Sequence, residues 1–257
     1  MMKVAILAGG LGTRLSEETE MRPKPMVEIG GKPILWHIMK HYGHFGFNEF
    51  FVALGHKGEV IKRYFLDHHT LSGDLTVDIA TGKSSVSLPA VPDWKVHLVD
   101  TGETTLTGGR IKRLERYLGS STFMMTYGDG VSNIPLDQLV AFHRAKGLLA
   151  TVTAVRPPAR FGGIDMDGDL VRGFSEKSQI REGWINGGFM LLEPGIFKYF
   201  SGDDDVFEVD LLERLAEEKQ LAAFRHEGFW QCMDTLRDKR FLEDLWTSGK
   251  APWKVWS

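Results

Sequence analysis

At 257 residues, 42% of them hydrophobic and 25% charged, the chain has ordinary globular composition and the length for a full core, which excludes a disordered or fibrous reading. A formal net charge of −3 gives no general attraction to nucleic acid or to an anionic membrane, so any phosphate binding has to come from a local cluster of cations. The single cysteine, Cys232, excludes an internal disulfide and fits a reducing, cytoplasmic home.

The chain opens on "KVAILA", an apolar run that reads as a buried strand and stops at Gly9 and Gly10. Only Val4 to Ala8 are apolar before those glycines, too few for a secretion signal, and no run of about 18 apolar residues follows elsewhere. Pro33 opens "PILWHIMKHY", where Ile34, Leu35, Ile38, Met39 and Tyr42 fall on one helical face. "EFFVAL" reads as a strand, and "EVIKRYF" as a helix with Val60, Ile61, Tyr64 and Phe65 inward. Further strands are expected at "LTVDIA", "VHLVD", "TFMMTY" and "ATVTAV", with helices at "GRIKRLERYL" and "LDQLVAFHRAKG". This alternation predicts an α/β fold, a Rossmann-like, mostly parallel sheet with helices on both faces. From about residue 160 the pattern changes. "FGGIDMDGDLVRGFSEK" reads as a hairpin turning at "DGD", "WINGGFMLLEP" as a long strand, and "LLERLAEEKQ" and "LRDKRFLEDLW" as helices. With no linker or repeat in view, the reading is one domain over 1–257, with a parallel-sheet half over about 1–155 and a small β-rich, substrate-side half over about 156–257.

Ligands of open α/β sheets sit outside the carboxyl ends of the strands, which is where the loop from Gly9 to Arg14 emerges. Two familiar phosphate loops fail against it. The Walker pattern needs Lys and then Ser or Thr after its last glycine, whereas Gly12 is followed by Thr13 and Arg14; the dinucleotide pattern fits Gly10 and Gly12, but its third glycine falls on Leu15. The cations that follow lift the loop above an ordinary tight turn. Arg14 and Lys24 flank it, and Lys24 lies between Pro23 and Pro25, which stiffen the segment. Backbone N–H groups, a forked guanidinium and a positioned ammonium together suit a polyphosphate.

Asp129, in "YGDG", projects from a strand's carboxyl end between two glycines, and reads either as a turn residue or as a cation ligand. Asp234, in "QCMDTLRD", follows a short apparent strand and reads either as a helix N-cap or as a ligand. "TLTGGRIKR" supplies hydroxyls at Thr105 and Thr107, close backbone approach at Gly108 and Gly109, and a donor at Arg110 that suits the acceptors of a pyrimidine base, cytosine and uracil alike, or else begins a surface helix. Glu176, Lys177 and Asn186 have the chemistry to hold a sugar phosphate, or are satisfied strand and turn residues. His68 and His69 are adjacent and carry no metal spacing, and the tryptophans at 230, 246, 253 and 256 read as core or subunit contact.

Taken in order, "ILAGGLGTRLSEET", "KPMVEIGGKPILWHIMK", "VDTGETTLTGGRIKR", "TYGDGV", "INGGF", "FWQCMDTLRDK" and "GKAPWK" resemble the sugar-phosphate nucleotidyltransferases nearly end to end, and within that family the members that transfer cytidylyl groups. The resemblance implies the nucleotide-diphospho-sugar transferase fold, CTP and glucose 1-phosphate as substrates, Mg²⁺ as cofactor, a CDP-sugar for cell-surface polysaccharide, and a homo-oligomer, with no nucleic-acid or membrane partner. It implies Arg14 and Lys24 as catalytic residues. Leu7, Ala8, Gly9, Gly10, Gly12, Thr13, Thr105, Arg110 and Gly128 would bind the nucleotide, Glu176, Lys177 and Asn186 the sugar phosphate, and Asp129 and Asp234 the metal. Ser178 stands where many relatives have proline after the Glu-Lys pair. Thymidylyl or uridylyl transfer, a catalytically inactive nucleotide-sugar-binding regulator of the same fold, and a dinucleotide oxidoreductase are the competing readings.

Overall fold

In the computed structural model the described residues are all but 1, 11, 13–14, 88–91, 158–162, 168–169, 176–182 and 257; side chains at 16–17, 69 and 163–175 are also outside the description. The core is a seven-stranded sheet of β1 (Val4–Leu7), β2 (Glu49–Leu54), β3 (Lys95–Asp100), β4 (Phe123–Tyr127), β5 (Ala150–Val155), β6 (Ile185–Leu192) and β7 (Leu221–His226). Its spatial order is β7-β5-β6-β4-β1-β2-β3, with β6 antiparallel to both neighbours and every other pairing parallel.

Each strand alternates its side chains between two separate cores, as a sheet covered on both faces requires. Val4, Ile6, Phe50, Val52, Met124 and Leu191 point to one core, where helices Ile34–His44, Leu136–Lys146 and Leu236–Thr247 lie. Ala5, Leu7, Phe51, Ala53, Met125 and Met190 point to the other, closed by helix Thr107–Arg113 and by Phe197, Phe207 and Leu211. The fully buried Trp253 and the partly buried Trp246 belong to the first core, and the indole N–H of Trp253 donates to His37 Nδ1 at 3.3 Å. The C-terminal tryptophans are thus a core closure over helix Ile34–His44.

The chain leaves β1 toward β2 on one side and returns through β4 on the other, so the sheet has its topological switch point at β1. Leu7, Leu54, Asp100 and Tyr127 all end parallel strands at one edge, and the reversed β6 begins there with Ile185 and Asn186. This edge is where an open α/β sheet binds its ligand.

Three segments differ from the sequence expectation. "LTVDIA" does form a strand, Asp74–Asp78, but it pairs with Lys83–Ser87 as a separate and largely exposed hairpin. The helix expected at "GRIKRLERYL" breaks into Thr107–Arg113 and Glu115–Leu118. "LLERLAEEKQ" is entered through a π-helical stretch, Phe207–Glu213. The hairpin at 163–175 forms as expected, Gly163–Asp167 against Leu170–Ser175, with the rest of its turn outside the described residues.

Candidate active site

A cleft of about 620 Å³ opens at the carboxyl edge of the sheet. Leu7, Ala8, Gly9, Gly10, Gly12, Lys24, Thr105, Arg110, Gly128, Asp129 and Asp234 all line it. Asn186 does not; it is exposed at the start of β6, where its Oδ1 accepts the Gly188 N–H at 2.9 Å. Thr13, Arg14, Glu176 and Lys177 lie outside the described residues.

Gly9 and Gly55 are required by what lies beneath them. A Cβ at Gly9 would sit 2.4 Å from Arg110 Cζ, and one at Gly55 would sit 2.5 Å from Arg110 Nη1, so the guanidinium fills the space between the first two strand-to-helix loops. Arg110 is 5% exposed, and both of its terminal nitrogens are engaged. Nη1 donates to Leu54 O, Gly102 O and Thr101 Oγ1 at 3.0, 2.7 and 2.8 Å, and Nη2 to Gly9 O and Glu103 O at 3.0 and 3.2 Å. Burial holds its pKa below the ordinary value, with Arg113 nearby adding to the effect. Arg110 thus knots together the loops after β1, β2 and β3. Gly10 has open space where a Cβ would be, the property of a backbone that a ligand can approach.

Lys24 begins a short 3₁₀ turn, Lys24–Met26, after extended Pro23, with Pro25 and Met26 buried beneath it. Pro25 packs on Gly128, where a Cβ would come within 3.0 Å of its ring. The turn therefore aims the Lys24 ammonium across the cleft mouth. Nζ donates to Asp129 Oδ2 at 2.7 Å and to Asp234 Oδ1 in a second, very short contact. The convergence of the two carboxylates has a backbone cause. Gly130–Ser132 pairs antiparallel with Trp230–Cys232, Gly130 opposite Cys232, and the Met233 N–H donates to Asp129 O at 2.8 Å. That register carries Asp129 and Asp234 off the same end of a two-stranded ribbon.

Burial alone would lower the Lys24 pKa, but the charges and hydrogen bonds of Asp129 and Asp234 outweigh it and raise the pKa above 10.5. Their neighbour Cys232 is shifted in the same direction, its thiol pushed up to about 12 by burial and then by Asp234 and Asp129, which disfavour a third negative charge beside them. The N-cap alternative for Asp234 fails on position. Thr235 is the N-cap of helix Leu236–Thr247 and forms a capping box with Asp238, one residue beyond Asp234.

Two carboxylates that already share one cationic group are a fitting seat for a divalent metal. No group of three or more His, Cys, Asp and Glu side chains that could hold a metal occurs among the described residues, so the remaining ligands would be phosphate oxygens and water.

Tyr127 was not singled out by sequence, although "TYGD" places it beside Gly128. It lines the cleft, and its hydroxyl donates to Glu208 on the π-helical stretch, whose other oxygen accepts from Thr107 Oγ1 at 3.1 Å. Gly188, at φ +78°, makes room for its ring, since a Cβ there would lie 2.6 Å from Tyr127 Cδ2. The Trp230 indole donates to Gly187 O at 2.7 Å and so fixes the same "INGG" turn from the other side.

The sequence model of the nucleotidyl transferase family matches residues 3–239. The chain is 50% identical to glucose-1-phosphate cytidylyltransferase of Salmonella typhi over 99% of its length and 100% of that protein. It is 46% identical to a probable glucose-1-phosphate cytidylyltransferase of Bacillus subtilis, with the same coverage. Among solved structures, HddC from Yersinia pseudotuberculosis superposes with a TM-score of 0.70 at 25% identity, covering 96% of this chain and 100% of that one. A putative glucose-1-phosphate thymidylyltransferase from Bacillus anthracis reaches the same TM-score at 16% identity, over 100% of this chain and 98% of that one, and supports the fold alone.

Proposed function

The chain belongs to the nucleotidyl transferase family, and on that premise we propose that it transfers the cytidylyl group of CTP to α-D-glucose 1-phosphate, giving CDP-glucose and pyrophosphate. The observation that carries this reading is the convergence of Lys24, Asp129 and Asp234 in a cleft floored by the glycine loop, in a chain half identical from end to end to a glucose-1-phosphate cytidylyltransferase.

A phosphate oxygen of the sugar phosphate attacks the α-phosphorus of CTP, and the bond to the bridging oxygen of the leaving pyrophosphate breaks. Two polyanions have to meet in line, so the protein's work is alignment and neutralisation. The backbone of Gly9, Gly10 and Gly12, beside Leu7, Ala8 and Thr13, would cradle the triphosphate. Arg14 would hold the departing pyrophosphate with its two-pronged donor set, and Lys24 the α-phosphate. Asp129 and Asp234 would hold Mg²⁺, which when bound neutralises phosphate charge and fixes its orientation. On the base side, Thr105 and Gly128 line the cleft near the nucleotide loop, and Arg110 would contribute by holding that loop's carbonyls. Glu176, Lys177 and Asn186 would bind the sugar phosphate.

A homo-oligomer is proposed as well. The hairpin exposes Leu75, Val77 and Ile79, at 46, 48 and 87%, and helix Gly58–Leu71 exposes Leu66 and Leu71, apolar side chains that a second copy would cover. The location proposed is the cytoplasm, and no helix among the described residues is long and apolar enough to cross a membrane.

The test is a grid of nucleoside triphosphates against sugar 1-phosphates, scored by pyrophosphate release. CTP with glucose 1-phosphate should give the highest kcat/KM. A higher value with dTTP or UTP would overturn the cytidylyl assignment, and no release with any pair would overturn the transferase reading.

A further inference from the structure

Gly108 and Gly109 are approached by the protein's own chain. The Leu106 N–H donates to Asp203 O at 2.8 Å, and the Gly108 and Gly109 N–H groups donate to Asp205 O at 2.8 and 3.3 Å. A Cβ at Gly108 would lie 2.8 Å from Asp205 O, and one at Gly109 would lie 2.6 Å from Asp203 Cα, so glycine is what admits this contact. The start of helix Thr107–Arg113 is thus closed by residues 203–205. The stretch that follows, Phe207–Glu213, is held against it by Phe207 and Leu211, both fully buried in the second core. That stretch is π-helical, a widened geometry frequent at functional sites, and the side chain it turns toward the cleft wall is Glu208.

Glu208 divides its two oxygens between two walls of the cleft. Oε2 accepts from the Thr107 hydroxyl at 3.1 Å, and Oε1 accepts from the Tyr127 hydroxyl. Each hydroxyl gives its one proton to Glu208 and keeps a lone pair for a further donor. Thr107 Oγ1 accepts the Phe207 N–H at 2.9 Å, and the Asn186 side chain hydrogen-bonds the Tyr127 hydroxyl. Asn186 Oδ1 already accepts the Gly188 N–H, so its amide nitrogen is the donor toward Tyr127. Thr107 closes the cleft-lining segment that contains Thr105, whereas Tyr127 ends β4 and Asn186 begins β6. One carboxylate therefore links the segment read as the nucleotide side to the residue read as a sugar contact.

We propose that Glu208 is a positioning residue shared by both substrates: through Thr107 it sets the wall beside Thr105, and through Tyr127 it sets the Asn186 amide. The inference rests on the proposed cytidylyl transfer, with Thr105 and Asn186 as contacts of CTP and of glucose 1-phosphate. A carboxylate that only capped its own turn would bond the backbone N–H groups of that turn. Glu208 instead bonds two hydroxyls on separate elements, which is what distinguishes the shared role from local packing.

Thr107→Val and Tyr127→Phe each delete one hydroxyl while keeping the shape, Thr107→Ser keeps the hydroxyl, and Glu208→Gln and Glu208→Leu weaken and remove the shared acceptor. The measurements are the KM for CTP, the KM for glucose 1-phosphate and the melting midpoint. Thr107→Val should raise the KM for CTP about threefold to tenfold, the loss of one hydrogen bond, and leave the KM for glucose 1-phosphate within about twofold. Tyr127→Phe should do the reverse. Glu208→Leu should raise both, Glu208→Gln should raise both by less, and Thr107→Ser should match the parent. A Glu208 pair of variants that moves neither KM, or only one, would overturn the inference. Equal rises of both KM values in each single-hydroxyl variant, with a lowered melting midpoint, would overturn it in favour of a packing role. An active parent without the predicted pattern leaves the transferase reading standing and removes the inference alone; a parent inactive on CTP and glucose 1-phosphate removes the reading, and the inference with it.

Discussion

Replacing Lys24 by Met removes one charge from a cluster of three and keeps the length of the side chain. Lys24, Asp129 and Asp234 have side chains 13, 32 and 19% exposed, so the cluster is neither a surface ion pair nor a fully buried one. An exposed pair contributes below about 1 kcal/mol, whereas stripping the partner from a buried charge costs about 3–5 kcal/mol. A value of about 2 kcal/mol lies between, and in a chain of this size it lowers the melting midpoint by about 4–8 °C. The same substitution leaves two carboxylates facing each other without their shared ammonium. A divalent cation should therefore stabilise Lys24→Met more than the parent protein when nucleotide is absent, because binding adds stability as its occupancy rises. Activity should move the other way, with kcat down by about a hundredfold or more. Differential scanning fluorimetry against Mg²⁺ concentration, with a pyrophosphate-release assay alongside, reads all three quantities. A variant that melts with the parent, or that gains less from Mg²⁺ than the parent does, would refute the account of Lys24 as the cation held between the two carboxylates. The sign with pH is fixed as well. The raised Lys24 pKa makes the cluster's contribution fully present below about 10.5 and lost as pH climbs through the higher folded value.

Arg110→Lys should fail to rescue Arg110→Met, because one ammonium cannot serve acceptors on three loops; both should lower the melting midpoint by about 5 °C or more, and a raised KM for CTP with an unchanged midpoint would show direct base contact instead. His37 and His41 are held neutral, each with its pKa lowered to about 4 by burial, so their contribution is complete above pH 6.5 and is lost as pH falls toward 4. The midpoint should accordingly drop by several degrees between pH 6.5 and 4.5, and a flat profile over that range would contradict it.

Much of this architecture is legible in the sequence because the strands carry it openly. "VAIL", "EFFVAL" and "FMMTY" are apolar on both faces, which is what a sheet buried between two helical layers demands, and the glycine loop marks its binding edge. β7 is hard to read because "LAAFRH" contains two alanines and ends on Arg225 and His226, and only its place at the sheet edge beside β5 makes it a strand. The meeting of Asp129 with Asp234 is implied by the family resemblance; its physical cause is the register of Gly130 against Cys232, which no local spacing announces. Arg110 shows the limit of residue chemistry. A guanidinium in a glycine-rich segment reads equally as a ligand donor and as a knot among carbonyls, and only the positions of Leu54, Gly102 and Gly9 distinguish the two in this structure.

The central claim is that Asp129 and Asp234, brought together by that ribbon, hold one metal ion over the phosphates of CTP and glucose 1-phosphate. Activity against Mg²⁺ concentration for the parent, Asp129→Asn and Asp234→Asn, with both substrates saturating, addresses it directly. Each variant should need at least about tenfold more Mg²⁺ for half-maximal activity, whereas a Mg²⁺ requirement equal to the parent's in both variants would contradict the shared ion.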